Sequence, residues 1–509
     1  MRGCSVARTT KCRDSHASLV RVSALSALDL TENHWPRPTQ RGDRALSRES
    51  ARISVAFALP TVHDAPVSLL NDLPRPGATR LAVRVTPDAL RRIRGGHPWL
   101  FDGSIISASR SGGGTSDGAA TTSTTGPRSL PSAAAVPGAA PGDLAVIFDS
   151  DRRFAAIGLW DPASPIRVKI LHHGSRATID QAWFVARITA AVGRRASLAA
   201  DATTTGYRVI HGDNDGFPGL VVDRYGHVLV VKLYSAAWVP HLADVVPALL
   251  AALPSRSVVL RLARAIRDQP LHGLTEGMSL YGPEVDSPVQ FLEHGLRFQA
   301  DVIRGQKTGH FLDQRDNRAL VGSMSAGARV LDVFSCTGGF SVHAAAGGAR
   351  SVLSVDSSPG AIDFAERNMA LNLGHDGVAV CRHTVRTAEA FAVLEELGQS
   401  RGRFDVVVVD PPSFARNAAS VPQAIQAYQR LAELAAPLVE RDGLLVMSSC
   451  SARVDEADFV RAVHAGCARV SIELDEVRRT GHAIDHPIGF PEGAYLNTLY
   501  ARPHKVSRR

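Results

Sequence analysis

Short apolar runs broken by turns dominate residues 80–176. Leu81 to Val85, Leu144 to Phe148, Phe154 to Leu159 and Arg167 to Leu171 read as strands, and Pro87 opens a short helix over Asp88 to Arg94. This spacing predicts a small β-rich module. Residues 177–300 mix two periods. Ile179 to Ala200 and His241 to Leu253 read as helices, the second with Pro247 inside it. Gly219 to Asp223 and Val228 to Leu233 predict a hairpin around Tyr225-Gly226, with further strands at Ser257 to Leu262 and Phe298 to Ala300. This middle α+β unit shows no clear chemistry of its own. Residues 301–509 alternate apolar runs with helical stretches, and the runs end in acids or glycine turns. That is the pattern of an α/β, Rossmann-like parallel sheet.

The remaining tracts lack such periodicity. Residues 1–79 are rich in Arg, Ser and Pro and read as a disordered extension or as sequence ahead of the true start. Residues 107–141 read as a flexible insertion of Ser, Gly, Thr, Ala and Pro within the first module. A chain of 509 residues exceeds one core and fits two or three domains. Its composition, 45% hydrophobic and 21% charged, is that of a globular protein. No run of 18 apolar residues exists, so a membrane span is not expected. The formal charge of +8 permits a polyanionic partner without establishing one. Cysteines at 4, 12, 336, 381, 450 and 467 form no CxxC pair, which argues against a disulfide framework or a zinc site and for a reducing, cytoplasmic location. Neither His482 nor His486 belongs to a believable metal set, and no metal is expected.

The chemistry is concentrated after residue 300. In Arg329 to Phe340 an apolar strand runs into the glycine turn Thr337-Gly338-Gly339-Phe340 and then a helix. Ser351 to Asp356 is a second strand that ends in an acid, suited to a pair of ribose hydroxyls. The turn is not the GxGxxG of a dinucleotide site. The carboxylate of Asp332, expected at the mouth, suits a cationic cofactor with an amino-acid tail better than a pyrophosphate, and S-adenosylmethionine meets that description. A third strand ends in Asp410-Pro411-Pro412-Ser413, and a fourth in Ser449-Cys450-Ser451. Ligands of open α/β sheets bind beyond the carboxyl ends of the strands, so four motifs converge on one edge.

A cysteine in apolar sequence is by default a buried residue. At a site-forming strand end Cys450 becomes a candidate nucleophile. A thiolate that adds to carbon 6 of a pyrimidine activates carbon 5 toward a methyl sulfonium, and Asp410 can protonate or hydrogen-bond the ring nitrogen as it does so. Cys336 is expected to pack near the cofactor, with Cys381 and Cys467 structural. Gly305 to Arg318 is dense in donors and acids and reads as a pocket wall. In Asp485 to Gly493, His486 either orients substrate or caps a turn. Arg91, Arg92 and Arg94 beside Trp99 and Phe101 suit nucleic-acid contact, against the plainer reading of Trp99 as core and the arginines as solvated.

The segments Gly305 to Arg318, Asp332 to Phe340, Asp410 to Phe414, Ser449 to Ser451 and Asp485 to Gly493 resemble those of the bacterial 23S ribosomal RNA cytosine-C5 methyltransferases of the large subunit methyltransferase I family. Gly96-His97-Pro98-Trp99 resembles the opening of that family's PUA module. The resemblance covers roughly residues 80–505. It implies an N-terminal PUA-like RNA-binding domain (80–176), a central α+β domain (177–300) and a class I S-adenosylmethionine-dependent methyltransferase domain (301–509). It further implies that Lys307, Phe311 and Gln314 wall the cofactor pocket. Asp332, Phe334, Thr337, Gly338, Gly339 and Phe340 would border the methionine and ribose parts, and Asp356 with Ser357 would hold the ribose hydroxyls. Glu389 would lie near the adenine, where relatives often carry Asp. Asp410 and Pro411 would sit between methyl donor and base, and Cys450 would be the nucleophile. Cys336 departs from the family's common Tyr. Ser413 stands where some other RNA 5-methylcytosine enzymes carry a second cysteine.

The expected function is formation of 5-methylcytosine in 23S ribosomal RNA, naked or within a large-subunit precursor, by an enzyme that could be a homodimer. The alternatives are methylation of another base or atom, and a nonenzymatic RNA-binding ribosome-assembly factor. A nicotinamide oxidoreductase is disfavoured by the missing phosphate fingerprint.

Overall fold

The apolar runs after residue 300 pair into one sheet whose inner strands are buried on both faces, as parallel strands flanked by helices must be, while its edge strands stay partly exposed. The computed structural model describes residues 67–110, 136–415 and 417–505. Seven strands form this sheet: β1 (Arg329–Val333), β2 (Ser351–Asp356), β3 (Arg382–Thr387), β4 (Phe404–Val409), β5 (Val439–Ser449), β6 (Ile472–Thr480) and β7 (Asn497–Lys505). Their spatial order is β3-β2-β1-β4-β5-β7-β6, with β7 antiparallel to both its neighbours. The order reverses between β2–β1 and β4, which opens a crevice at the carboxyl ends. Register brings the motifs level. Val333 lies opposite Val355 on one side and Val409 on the other, and Val409 lies opposite Met447. Phe334, Asp356 and Asp410 therefore leave the sheet side by side, and Cys450 follows just beyond β5.

Helix α1 (Gly339–Ala346) starts directly at the glycine turn. Its cap, Gly338, has φ +76°, and a Cβ there would lie 2.8 Å from the Cβ of Ala365. Only glycine meets both the backbone angle and the close approach. Helix α2 (Pro359–Ala370) is capped by Ser358, whose side chain accepts from the Ala361 amide, and has a proline in its first turn.

Two further sheets precede this one. The first has six strands in the order Trp99–Phe101, Ile166–His173, Phe154–Trp160, Leu144–Phe148, Leu81–Val85, Ile105–Arg110. The second has five, in the order Ser279–Tyr281, Ser257–Leu262, Val228–Leu233, Leu220–Tyr225, Gly206–His211, and a separate hairpin joins Val289–Glu293 to Leu296–Ala300. All these elements fall within one compact unit. Among the described residues no helix is long and apolar enough to cross a membrane.

Several expectations need correction. Helix Val67–Asp72 lies inside the stretch read as an extension, and Leu70 and Leu73 are buried in the same core as Trp238 and Leu249. Its apolar positions are too few to signal a helix alone; the middle sheet supplies the face they cover. Residues 1–66 lie outside the described residues. The expected insertion begins too early, because Ile105–Arg110 is a strand paired antiparallel with Leu81–Val85. Only Ile105 is buried, while Ile106, Ser107 and Ser109 are exposed, so the apolar alternation that marks a half-buried strand is weak. Residues 111–135 lie outside the described residues, while Val136 and Ala139 pack on the first module's core. The long helix expected from Ile179 divides into Gln181–Gly193 and Ala196–Ala200. Arg195, between them, is buried against Asp215, which ends the first helix by a tertiary contact.

Candidate active site

The carboxyl edge of the seven-stranded sheet forms the floor of a cavity of about 910 Å³. Residues of all three sheets wall it, including Trp99, Arg208, Asp213, Tyr234, Lys307, Asp356, Asp410, Cys450 and Tyr495. The glycine turn enters it by way of two non-glycine residues in the left-handed region, Phe334 (φ 64°) and Cys336 (φ 49°). Strain of this kind persists where the surroundings over-determine the backbone, and it clusters at ligand sites. Asp356 holds the turn in place. One of its carboxylate oxygens accepts from the Cys336 amide at 3.0 Å and the other from the Ser358 amide at 2.9 Å. Each oxygen keeps a lone pair for a hydroxyl.

Asp410 is buried. It accepts a hydrogen bond from Gln314 Nε2 at 2.9 Å, and Gln314 in turn accepts from Asn317 Nδ2 at 2.6 Å. Burial, with Asp313 adding like charge, pushes its carboxyl up to about 6. The acid is thus poised between its two forms near neutral pH.

The Cys450 thiol donates to the carbonyl of Pro411, with sulfur and oxygen 3.6 Å apart. Burial pushes it up to about 12, and the Lys307 ammonium works against that rise. Lys307 itself donates to Asp313 Oδ2 at 2.7 Å and lies 4.2 Å from the centre of the Phe311 ring. Tyr495 donates to the same Asp313 oxygen at 2.8 Å. Burial alone would raise Asp313, but Lys307 and His486 hold it well below the usual carboxylate range.

The cavity gathers Lys307, Phe311, Gln314, Phe334, Thr337, Gly339, Phe340, Asp356, Ser357, Asp410, Pro411 and Cys450. Three expected site residues lie elsewhere. Asp332 is fully buried behind the turn, where Ser341 donates to it at 2.6 Å and burial pushes it up to about 7. It stands opposite Ser354 in the β1–β2 register, so its side chain meets the helix packed on the sheet and not the mouth. Gly338 shapes the turn without lining the cavity. Glu389 is exposed and caps the following helix by accepting from the Ala392 amide at 3.0 Å. It stands one residue before a helix, where a side-chain acceptor satisfies a free amide of the first turn.

Cys336 lines the cavity, and Cys467 is buried in the core. Cys4 and Cys12 lie outside the described residues. Asp485 is an anchor for its loop: it accepts from the Arg208 amide at 2.7 Å and pairs with Arg315 at 3.0 Å, while His486 bonds back to it at 3.1 Å. Trp99 is neither simple core nor free surface. Its indole nitrogen donates to Asp213, and its ring meets Phe490 edge-on at 5.1 Å between centres. Arg91 and Arg92 are exposed.

The middle unit does contribute to the site, contrary to expectation. Arg208 forms a buried two-point pair with Asp223 at 2.7 and 2.9 Å, and Thr308 also donates to Asp223. This pair fastens the Gln306–Thr308 segment to the sheet beneath. Nothing in the local sequence marks it, because the partners stand 15 residues apart on adjacent strands and act on a third segment.

Comparison with known proteins agrees with this architecture. Residues 272–491 match the model of the S-adenosylmethionine-dependent methyltransferase family, and residues 130–173 match the PUA-like domain. A solved structure described as a SAM-dependent methyltransferase from Streptococcus mutans superposes with a TM-score of 0.64 at 20% identity, covering 83% of this chain and 99% of that one. It establishes the fold. The cofactor is S-adenosylmethionine, and the donor set fits it: an acid with free lone pairs at the second strand end, a glycine turn, and the carboxylates of Asp313 and Asp410 in the same cavity, suited to a cationic group. Among curated proteins, the Deinococcus radiodurans ribosomal RNA large subunit methyltransferase is 42% identical over 84% of this chain and 98% of its own length. Ribosomal RNA large subunit methyltransferase I of Pseudoalteromonas translucida is 32% identical over 71% and 90%. The chain therefore belongs to the ribosomal RNA large subunit methyltransferase family.

Proposed function

We propose that this protein methylates carbon 5 of a cytosine in large-subunit ribosomal RNA, with Cys450 as nucleophile and Asp410 as acid and base. The observation that carries the reading is the placement of the Cys450 thiol on the floor of the same cavity as Asp410, with Lys307 supplying the opposing charge. Lys307, Phe311, Gln314, Phe334, Thr337, Gly339, Phe340, Asp356, Ser357 and Pro411 would hold S-adenosylmethionine. When bound, that cofactor supplies an electrophilic methyl group.

The chain's own residues supply the rest. A base in duplex RNA must first be extruded or already unpaired to reach a recessed thiol. Cys450 gives up its proton to water, and its sulfur forms a bond to carbon 6. The electron pair of the carbon 5–carbon 6 double bond is thereby freed, while Asp410 in its acid form protonates the ring nitrogen. Carbon 5 becomes the nucleophilic atom. After methylation water takes the proton from carbon 5, the carbon–sulfur bond breaks with its electrons returning to sulfur, and the ionised Asp410 recovers its proton from the ring nitrogen. A carboxyl held near 6 can serve in both forms at neutral pH.

The test is mass-spectrometric mapping of 23S ribosomal RNA from cells with and without the protein, joined to trapping on RNA that contains 5-fluorocytosine. A stable covalent complex with the wild-type enzyme, absent for Cys450→Ala, is expected. Full methylation by Cys450→Ala would refute the covalent route, and a modified atom other than carbon 5 would refute the base assignment.

A further inference from the structure

We propose that Tyr234 is the stacking platform for an unpaired nucleobase entering the cavity. This rests on the reading of an RNA substrate given above. Tyr234 follows strand Val228–Leu233 and is fixed by its amide, which donates to the Gly219 carbonyl at 2.8 Å. Other aromatic residues of the middle unit, Tyr207, Phe217, Tyr225 and Trp238, are buried, whereas Tyr234 is 48% exposed. Other large apolar side chains are exposed among the described residues, but only Tyr234 of that set lines the cavity. An aromatic ring left open inside a concave site forgoes the stabilisation that burial would give it, and a π-face accepts any base.

Its surroundings separate it from the cofactor candidates. Phe334, Thr337, Asp356 and Ser357 come from the carboxyl edge of the seven-stranded sheet, while Tyr234 comes from the middle sheet. Lys232 links the two sides. Its ammonium stands 5.4 Å from the centre of the Tyr234 ring and donates to the Lys307 carbonyl at 2.7 Å. Several polar groups near it are already committed: Arg208 to Asp223, Lys169 to Asp161, and the Trp99 indole to Asp213. Tyr234 adds to that wall an exposed aromatic ring with the Lys232 ammonium beside it.

The experiment uses the full chain and a short single-stranded RNA with a central pyrrolocytosine, whose fluorescence is quenched on stacking. Quenching is expected with the wild type and with Tyr234→Phe, and its loss with Tyr234→Ala and Tyr234→Leu. With the ribosomal RNA substrate, Tyr234→Ala should raise KM by about 10- to 100-fold, the range that one base–aromatic stack supports. Its kcat and its affinity for S-adenosylmethionine should stay near wild type. Wild-type quenching in Tyr234→Ala, or recovery in Tyr234→Leu, would overturn the proposal. A wild-type enzyme that quenches the probe yet leaves carbon 5 unmethylated would overturn the reaction assignment and leave the stacking role standing.

Discussion

Lys307 and Asp313 form an ion pair of 2.7 Å that faces the Cys450 thiol, so one short segment carries the cation that opposes the thiol's burial. Lys307 is in the left-handed region at φ 51°, and Asp313 is held by Tyr495 as well. The pair is positioned from both sides before any substrate arrives.

Lys307→Met should therefore make Cys450 less acidic still. Alkylation of Cys450 by iodoacetamide at pH 9, followed by peptide mass spectrometry, should slow by about tenfold, as the loss of roughly 1.4 kcal/mol of charge stabilisation requires. Cys336 serves as an internal reference for access to the cavity, although Lys307 also acts on it more weakly. An unchanged rate at Cys450 would show that Lys307 does not tune the thiol.

Asp332 predicts a pH-dependent stability difference. Its folded value of about 7 exceeds the ordinary 3.8, so between those values the folded protein keeps a proton that the unfolded chain has lost. Stability from this group is greatest at low pH and falls as pH rises toward 7. Asp332→Asn keeps an oxygen to accept from Ser341 and cannot ionise. Urea unfolding should show the variant gaining on wild type from about pH 4 upward, with its advantage larger by about 2–3 kcal/mol at pH 8 than at pH 5. A constant difference across that range would mean that Asp332 does not hold its proton.

Arg318 and Glu293 form a buried pair with contacts of 2.7 and 2.6 Å, and His343 shares the same carboxylate at 3.0 Å. Arg318→Met should destabilise the fold by about 3–5 kcal/mol, because the buried Glu293 carboxylate loses its guanidinium partner and keeps only the His343 contact. Combining it with Glu293→Gln should recover much of that loss. Arg318 also donates to the Phe311 carbonyl at 2.8 Å, so the double variant should still bind S-adenosylmethionine less tightly. Thermal unfolding and calorimetric titration of the three proteins separate the two effects.

What the sequence by itself determined was the local grammar of this protein. Apolar runs such as Phe404–Val409, buried on both faces, can only be inner strands, and the acids and glycines at their ends name the edge where a ligand sits. The resemblance of a few polar segments was enough to identify the cofactor. Tertiary structure alone decided which of those polar residues face the cavity. Asp332 and Asp356 both belong to strands that border the switch point, yet register turns the first toward Ser341 and leaves the second at the mouth. Arg208 and Tyr234 are invisible as site residues in their own segments, because what makes them so is the approach of the Lys307 segment, 75 residues beyond Lys232 in the chain. Hydrophobic periodicity encodes which face of an element is buried; it carries no information about which distant segment will cover that face.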